Sequence, residues 1–171
     1  MRSTLGIDVA APPALVFALA RDPERWARLL PHYTRSRAVG VRRSDGSLVV
    51  AFIARRPLVD VLGLALPVTW RARTWAEPAT LRLRFVHLAG ATSGMDVTWR
   101  IEPAPGGARV EIEHDFRPAV PLLAAVVDRF FTRPIAGRTL ATFRDLAEAV
   151  ASSTLDGAAE SGRPPDANPP A

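Results

Sequence analysis

Two histidines and one tyrosine are the residues in this sequence best suited to moving a proton near neutral pH. His87 closes the run TLRLRFVHL, His114 lies in ARVEIEHDF, and Tyr33, the only tyrosine in the chain, heads YTRSRAVGVRR. An imidazole changes charge close to physiological pH, and a phenol can donate to a developing oxyanion. Both histidines fall on strand-like segments. Two strand spacings, roughly 10 Å, would separate them: too far for one metal ion, near enough to face one ligand. Acid–base work on a bound molecule is one reading. The other is that each residue caps a pocket rim by a hydrogen bond to backbone or water. With no cysteine in the chain, structural disulfides, thiolate zinc sites and cysteine nucleophiles are excluded. No metal and no cofactor is expected.

The elements that must position these groups follow from hydrophobic period. STLGIDVA alternates Leu5, Ile7 and Val9 and predicts a first strand; Pro12 and Pro13 open a short helix, and Asp22 caps a second, PERWARLL, which Pro31 stops. From Tyr33 the period falls to two, through six strands with hairpin-length gaps at Ser44-Asp45-Gly46, EPA, AGAT and Gly106-Gly107. Parity puts Trp70, Ala72 and Thr74 on the inner face, with Leu81, Leu83, Phe85 and His87, then Met95, Val97, Trp99 and Ile101, then Val110, Ile112, His114 and Phe116. If hairpins keep those faces aligned, His87, Met95 and His114 share one row. After Pro121, apolar residues recur at three- and four-residue spacing (Leu123, Val127, Phe130, Phe143, Leu146, Val150), with Pro134 expected to kink or divide the helix. The order predicts an α+β domain over 1–152: a seven-stranded curved antiparallel sheet around a long C-terminal helix, two short helices after the first strand, and room for a cavity. Residues 153–171, poor in large apolar side chains, are expected to be a disordered tail.

A net charge of +5 raises the question of a nucleic-acid partner, but all 22 basic residues are arginine and they are interspersed with acids. Arg71, Arg73, Arg82, Arg84, Arg100, Arg109 and Arg117 share the polar strand faces with Asp96, Glu102, Glu111, Glu113 and Asp115, while the aromatics lie opposite. That is a solvated sheet face with cross-strand ion pairs, and no nucleic-acid partner is expected. No apolar run approaches membrane-spanning length, so a cytoplasmic protein is expected. One connection, Leu58 to Leu66, is unusually aliphatic and adjoins Arg55 and Arg56. It would either touch a membrane transiently or fold back over the pocket and extend the flanking strands. Oligomeric state is not readable.

Several of these residues together resemble the START or Bet v 1-like (SRPBCC) helix-grip superfamily, its polyketide cyclase/dehydrase and coenzyme Q-binding branches above all. They are V9-x-A11-x4-V16-F17, W26-x2-L29-L30-P31-x-Y33, W70, G90-x4-M95-x3-W99 and H114-D115-F116. The resemblance implies a helix-grip fold whose pocket holds a hydrophobic small molecule: a polyketide, quinone, isoprenoid or lipid. In aromatase/cyclases an enolised carbon of a bound poly-ketone attacks a ketone, and loss of water gives an aromatic ring. Candidate catalytic residues are then Tyr33, His87 and His114. Candidate ligand contacts are Trp26; Trp70, Ala72 and Thr74; Leu83 and Phe85; Met95, Val97 and Trp99; Ile112 and Phe116; and Val127 and Phe130 on the long helix. Where cyclases tend to carry an inward polar residue and an Arg on the fourth strand, this chain has Ala72 and Thr74, and Arg71 and Arg73 have the wrong parity. That departure favours the alternative of a non-catalytic carrier.

Overall fold

The computed structural model describes residues 1–59, 64–118 and 121–161. Strand β1 (Arg2–Val9) leads to helix α1 (Pro13–Ala20), which has proline in its first turn, where no intrahelical donor is lost. The Asp22 carboxylate accepts from the Glu24 amide and starts a 3₁₀ turn, Pro23–Arg25, that runs into α2 (Trp26–Leu29). Six strands follow: β2 (Tyr33–Ala38), β3 (Leu48–Val59), β4 (Leu64–Glu77), β5 (Arg82–Gly90), β6 (Asp96–Ala104) and β7 (Gly107–Asp115). They form one antiparallel sheet in the order β1-β7-β6-β5-β4-β3-β2, so the two edge strands are those nearest the short helices in sequence.

The expected inner faces are the buried ones. Leu83, Phe85, Met95, Val97, Trp99, Ile101, Val110, Ile112, His114 and Phe116 are all buried, whereas the alternate positions carry ion pairs such as Arg100–Glu113 at 2.7 Å and Arg2–Asp115 at 3.1 Å. Such exposed pairs contribute little each. The single row expected for His87, Met95 and His114 is displaced. His87 lies across from Met95, but Val97 is the partner of His114, which therefore sits one pair further along. On the other side of β5, a bulge alters its pairing with β4: Ala72 pairs with His87 and Arg71 with Ala89, leaving Leu88 unpaired and exposed.

The long helix crosses the concave face in three parts: α3 (Pro121–Val127), a π turn (Asp128–Thr132) and α4 (Arg133–Ser161). The division expected at Pro134 takes the form of this π turn rather than a break in the chain's helical course. Having no amide hydrogen, Pro134 breaks the regular ladder, and the helix widens just before it, with the Arg133 amide donating to the carbonyl of Asp128 five residues back. Its buried stripe is Ala136, Leu140, Phe143 and Ala147, and the Glu148 carboxylate accepts from the Ala10 amide at 2.9 Å, tying α4 to the end of β1. The helix runs to Ser161, so residues 153–161 of the expected tail are helical; their alanine, serine, leucine and glutamate content permits it. Residues 162–171 lie outside the described residues. The aliphatic connection from Leu58 to Leu66 is largely an extension of β3 and β4, while 60–63 lie outside the described residues.

Gly90 closes β5 with φ +98°, and a Cβ there would overlap the Thr69 carbonyl oxygen and stand 3.1 Å from Trp70 Cα. Gly94 in the same turn has φ +84° but open space around it. Urea unfolding is expected to show Gly90→Ala losing more than about 2 kcal/mol, and Gly94→Ala only about 1 kcal/mol, the cost of the left-handed backbone alone.

Candidate functional site

Between the concave sheet and the long helix lies a cavity of about 80 Å³. By the same measure one water needs roughly 10–15 Å³, so this space admits more than a single solvent molecule. Trp26 and Tyr33 wall it from the α2–β2 side, Phe52, Val68 and Trp70 from β3 and β4, and Phe85, Met95, Val97, Trp99 and Ile112 from the sheet floor. The helix contributes Phe131, Thr132, Ile135, Ala136 and Thr139.

All three candidate catalytic residues, Tyr33, His87 and His114, reach this one cavity. So do Trp26, Trp70, Phe85, Met95, Val97, Trp99 and Ile112 among the candidate ligand contacts. Ala72, Thr74, Leu83, Phe116 and Val127 are buried but lie off its wall; they are core. Phe130 faces outward at 44 % exposure, with the Arg56 guanidinium 5.5 Å from its ring centre. The π turn adds a residue to the helical repeat and brings Phe131 inward in its place. Thr132 and Thr139 keep regular helical spacing with Ala136 and Phe143 but, being polar, do not stand out in an apolar pattern, and Phe131 takes the place that the pattern gave to Phe130.

Two of the polar groups on the wall, His87 and Thr139, have side-chain partners. His87 Nδ1 and Thr92 Oγ1 share a hydrogen bond of 2.6 Å, and the His87 ring stacks over Trp70 at 6.1 Å. The hairpin loop supplies that partner because the Gly94 amide donates to the His87 carbonyl at 2.9 Å, bending Thr92 back over β5. Across the cavity, Thr139 Oγ1 donates to the Ile135 carbonyl at 2.8 Å and lies 2.9 Å from His32 Nε2. Which of the two donates in that bond follows the His32 tautomer. His32 and Thr139 are 107 residues apart, and no local pattern links them. His114 Nδ1 and Thr132 Oγ1 are buried without any partner.

Burial governs how these groups titrate. It lowers His87 to about 3, with His114 nearby acting in the same direction. His114 falls to about 4 because burial outweighs the Asp128 carboxylate. His32 falls to about 4 through burial and the Arg138 charge. Burial raises the Tyr33 phenol well above its ordinary range, against a weaker opposing hydrogen bond with Thr139. At neutral pH all four are uncharged, and among the described residues no Arg, Asp or Glu lines the cavity. Nor do the described residues contain a cluster suited to holding a metal ion, or a helix long and apolar enough to cross a membrane.

A seven-stranded sheet closed over by one long helix, with an apolar cavity between them, is a helix-grip architecture. Residues 2–156 match the family described as polyketide cyclase/dehydrase and lipid transport, and the chain belongs to that family. No curated protein matches the sequence. Among solved structures, the chain is similar to the Zhui aromatase/cyclase from a Streptomyces species, with a TM-score of 0.68 and 20 % identity over 86 % of this chain and 93 % of that one. It is also similar to a START superfamily protein from Mycobacterium smegmatis, at TM-score 0.60 and 16 % identity over 90 % of this chain and 98 % of that one. The di-domain ARO/CYC BexL matches at TM-score 0.64 and 23 % identity over 85 % of this chain but only 45 % of its own length.

The depressed histidines carry a stability consequence. Each binds a proton in the unfolded chain below its ordinary 6.5 but resists it in the fold until about 3 or 4, so the unfolded state takes up more protons in that interval. Stability is therefore full above pH 6.5 and is lost as pH falls toward 4. Urea titrations across that window are expected to show the decline, and His87→Gln and His114→Gln are each expected to flatten it.

Proposed function

We propose that this protein binds a neutral, largely apolar small molecule, of polyketide, quinone, isoprenoid or lipid type, between its sheet and its long helix. The observation that carries the proposal is a cavity wall of aromatic and aliphatic side chains whose few polar groups are all uncharged at neutral pH. A charged ligand would leave its water there and meet no counter-charge, at a cost of several kcal/mol by general magnitudes. Membership of a family described by both cyclisation and lipid transport supports a ligand of this kind.

Aromatase/cyclase chemistry is the second reading, favoured by Tyr33, His87 and His114 surrounding one space. In it a histidine removes a proton from an activated methylene, the resulting carbanion attacks a ketone, the phenol protonates the new alkoxide, and water is then lost. Groups suited to that work titrate near the operating pH. Here burial makes the imidazoles weak bases and the phenol a weak acid, so binding is the better-supported role.

Mass spectrometry of an organic extract of the purified protein, run beside a cyclisation assay with a poly-ketone mimic, separates the two. Binding predicts a co-purified neutral apolar compound and no acceleration. Acceleration that disappears in both His87→Gln and His114→Gln would overturn the ranking in favour of the enzyme.

A further inference from the structure

We infer that His114 and Thr132 form the polar end of the cavity and that together they select a ligand carrying a hydroxyl, phenolic or enolic, over one that offers only a carbonyl or an ether. The inference rests on the binding role proposed above and names the chemistry that the site recognises.

His114 is 5 % exposed and Thr132 8 % exposed, both line the cavity, and His114 Nδ1 and Thr132 Oγ1 have no partner. A buried polar atom without a hydrogen bond is costly and rare in folded proteins, so two on one cavity wall mark a place for a ligand group. The helix explains why the threonine is free. Thr139 and Thr142 donate to carbonyls four residues back, Ile135 at 2.8 Å and Arg138 at 2.9 Å. The equivalent carbonyl for Thr132 is that of Asp128, which lies in the widened π turn and bonds five residues on to the Arg133 amide, so it does not hold the regular four-residue position that Ile135 and Arg138 hold. The Asp128 carboxylate is engaged as well: Ser3 Oγ donates to one oxygen at 2.8 Å and Arg133 Nε to the other at 2.7 Å. Nothing on its own turn therefore takes the Thr132 hydroxyl.

The histidine presents the complementary half. The Ser3 backbone favours a protonated nitrogen on the His114 ring. With Nδ1 unpartnered, we assign the proton to Nε2, which leaves Nδ1 a bare lone pair toward the cavity. Ser3 pairs with His114 across β1 and β7, and its hydroxyl donates to the Asp128 carboxylate at the start of the π turn at 2.8 Å, so His114 and the turn that carries Thr132 meet at one end of the cavity. An acceptor beside a hydroxyl is completed by a group that donates and accepts through a single atom. A ligand hydroxyl donates to Nδ1 and accepts from Thr132. A ketone, quinone or ether oxygen satisfies Thr132 alone and leaves Nδ1 unmet.

Isothermal titration calorimetry with 1-naphthol and the similarly sized 1-fluoronaphthalene tests this on the full chain and on Thr132→Val and His114→Leu. Each substitution is expected to weaken naphthol binding about tenfold while changing fluoronaphthalene less than about twofold. Should His114→Leu fail to fold, ¹⁵N NMR of the unsubstituted protein reads the same contact: naphthol shifts the His114 Nδ1 resonance upfield and fluoronaphthalene does not. Unchanged naphthol affinity in Thr132→Val together with an unmoved resonance would overturn the hydroxyl inference and leave the binding role standing. Failure of both compounds to bind would refute the binding role itself.

Discussion

Trp26 is packed on every side by rings that different elements supply. Its centroid lies 5.6 Å from Tyr33, 5.9 Å from Phe52, 5.5 Å from Phe85, 5.4 Å from Trp99 and 5.8 Å from Phe143, and its indole N–H donates to the Ala20 carbonyl at 2.9 Å. Helix α2, strands β2, β3, β5 and β6, and helix α4 thus converge on one side chain. Aromatic contacts of this kind add to the area they bury, and the paired N–H lets the ring stay in the dry interior. The cluster fills part of the concavity and forms one wall of what is left. The cavity therefore depends on how far this cluster extends along the sheet.

The remaining space takes its character from the long helix. Pro134 forces a widened turn at Asp128–Thr132, and that turn sets which residues look inward: Phe131 and Thr132, with Phe130 left to solvent and Arg56. The same turn holds Asp128 in its bonds with Ser3 and Arg133, so this buried acid is paired away from the cavity. The arginines are kept on the outer sheet face by strand parity, where Arg100 and Arg2 pair with Glu113 and Asp115. Local backbone geometry and sheet alternation together yield a lined space without charged side chains. Its chemistry is that of neutral hydrogen bonds among aromatic walls.

Much of this was legible in the sequence because it is local. Side chains alternate with period two in a strand, so Leu83, Phe85, Val97, Trp99 and Ile112 could be assigned to the inner face, and the structure buries each. Features that depend on register or on distant partners were not legible. The one-pair offset of His114, opposite Val97 rather than Met95, moves the histidines out of a shared row without altering any residue type. The π turn rotates Phe131 into a position that a 3.6-residue period gives to its neighbour. The pairing of His32 with Thr139 spans most of the chain. Ala72, Thr74, Leu83, Phe116 and Val127 have the right parity or spacing for a wall, but a fully packed core and a cavity wall share those patterns, and only the filled volume separates them.

The central claim is that the space between sheet and helix accepts neutral molecules and rejects charged ones. Thermal unfolding at pH 7 with 1-naphthol and, separately, with 1-naphthoate tests it directly, since a ligand of the folded state raises Tm according to its affinity. The account predicts a concentration-dependent rise with the neutral compound and none with the carboxylate. Equal or greater stabilisation by naphthoate would contradict it.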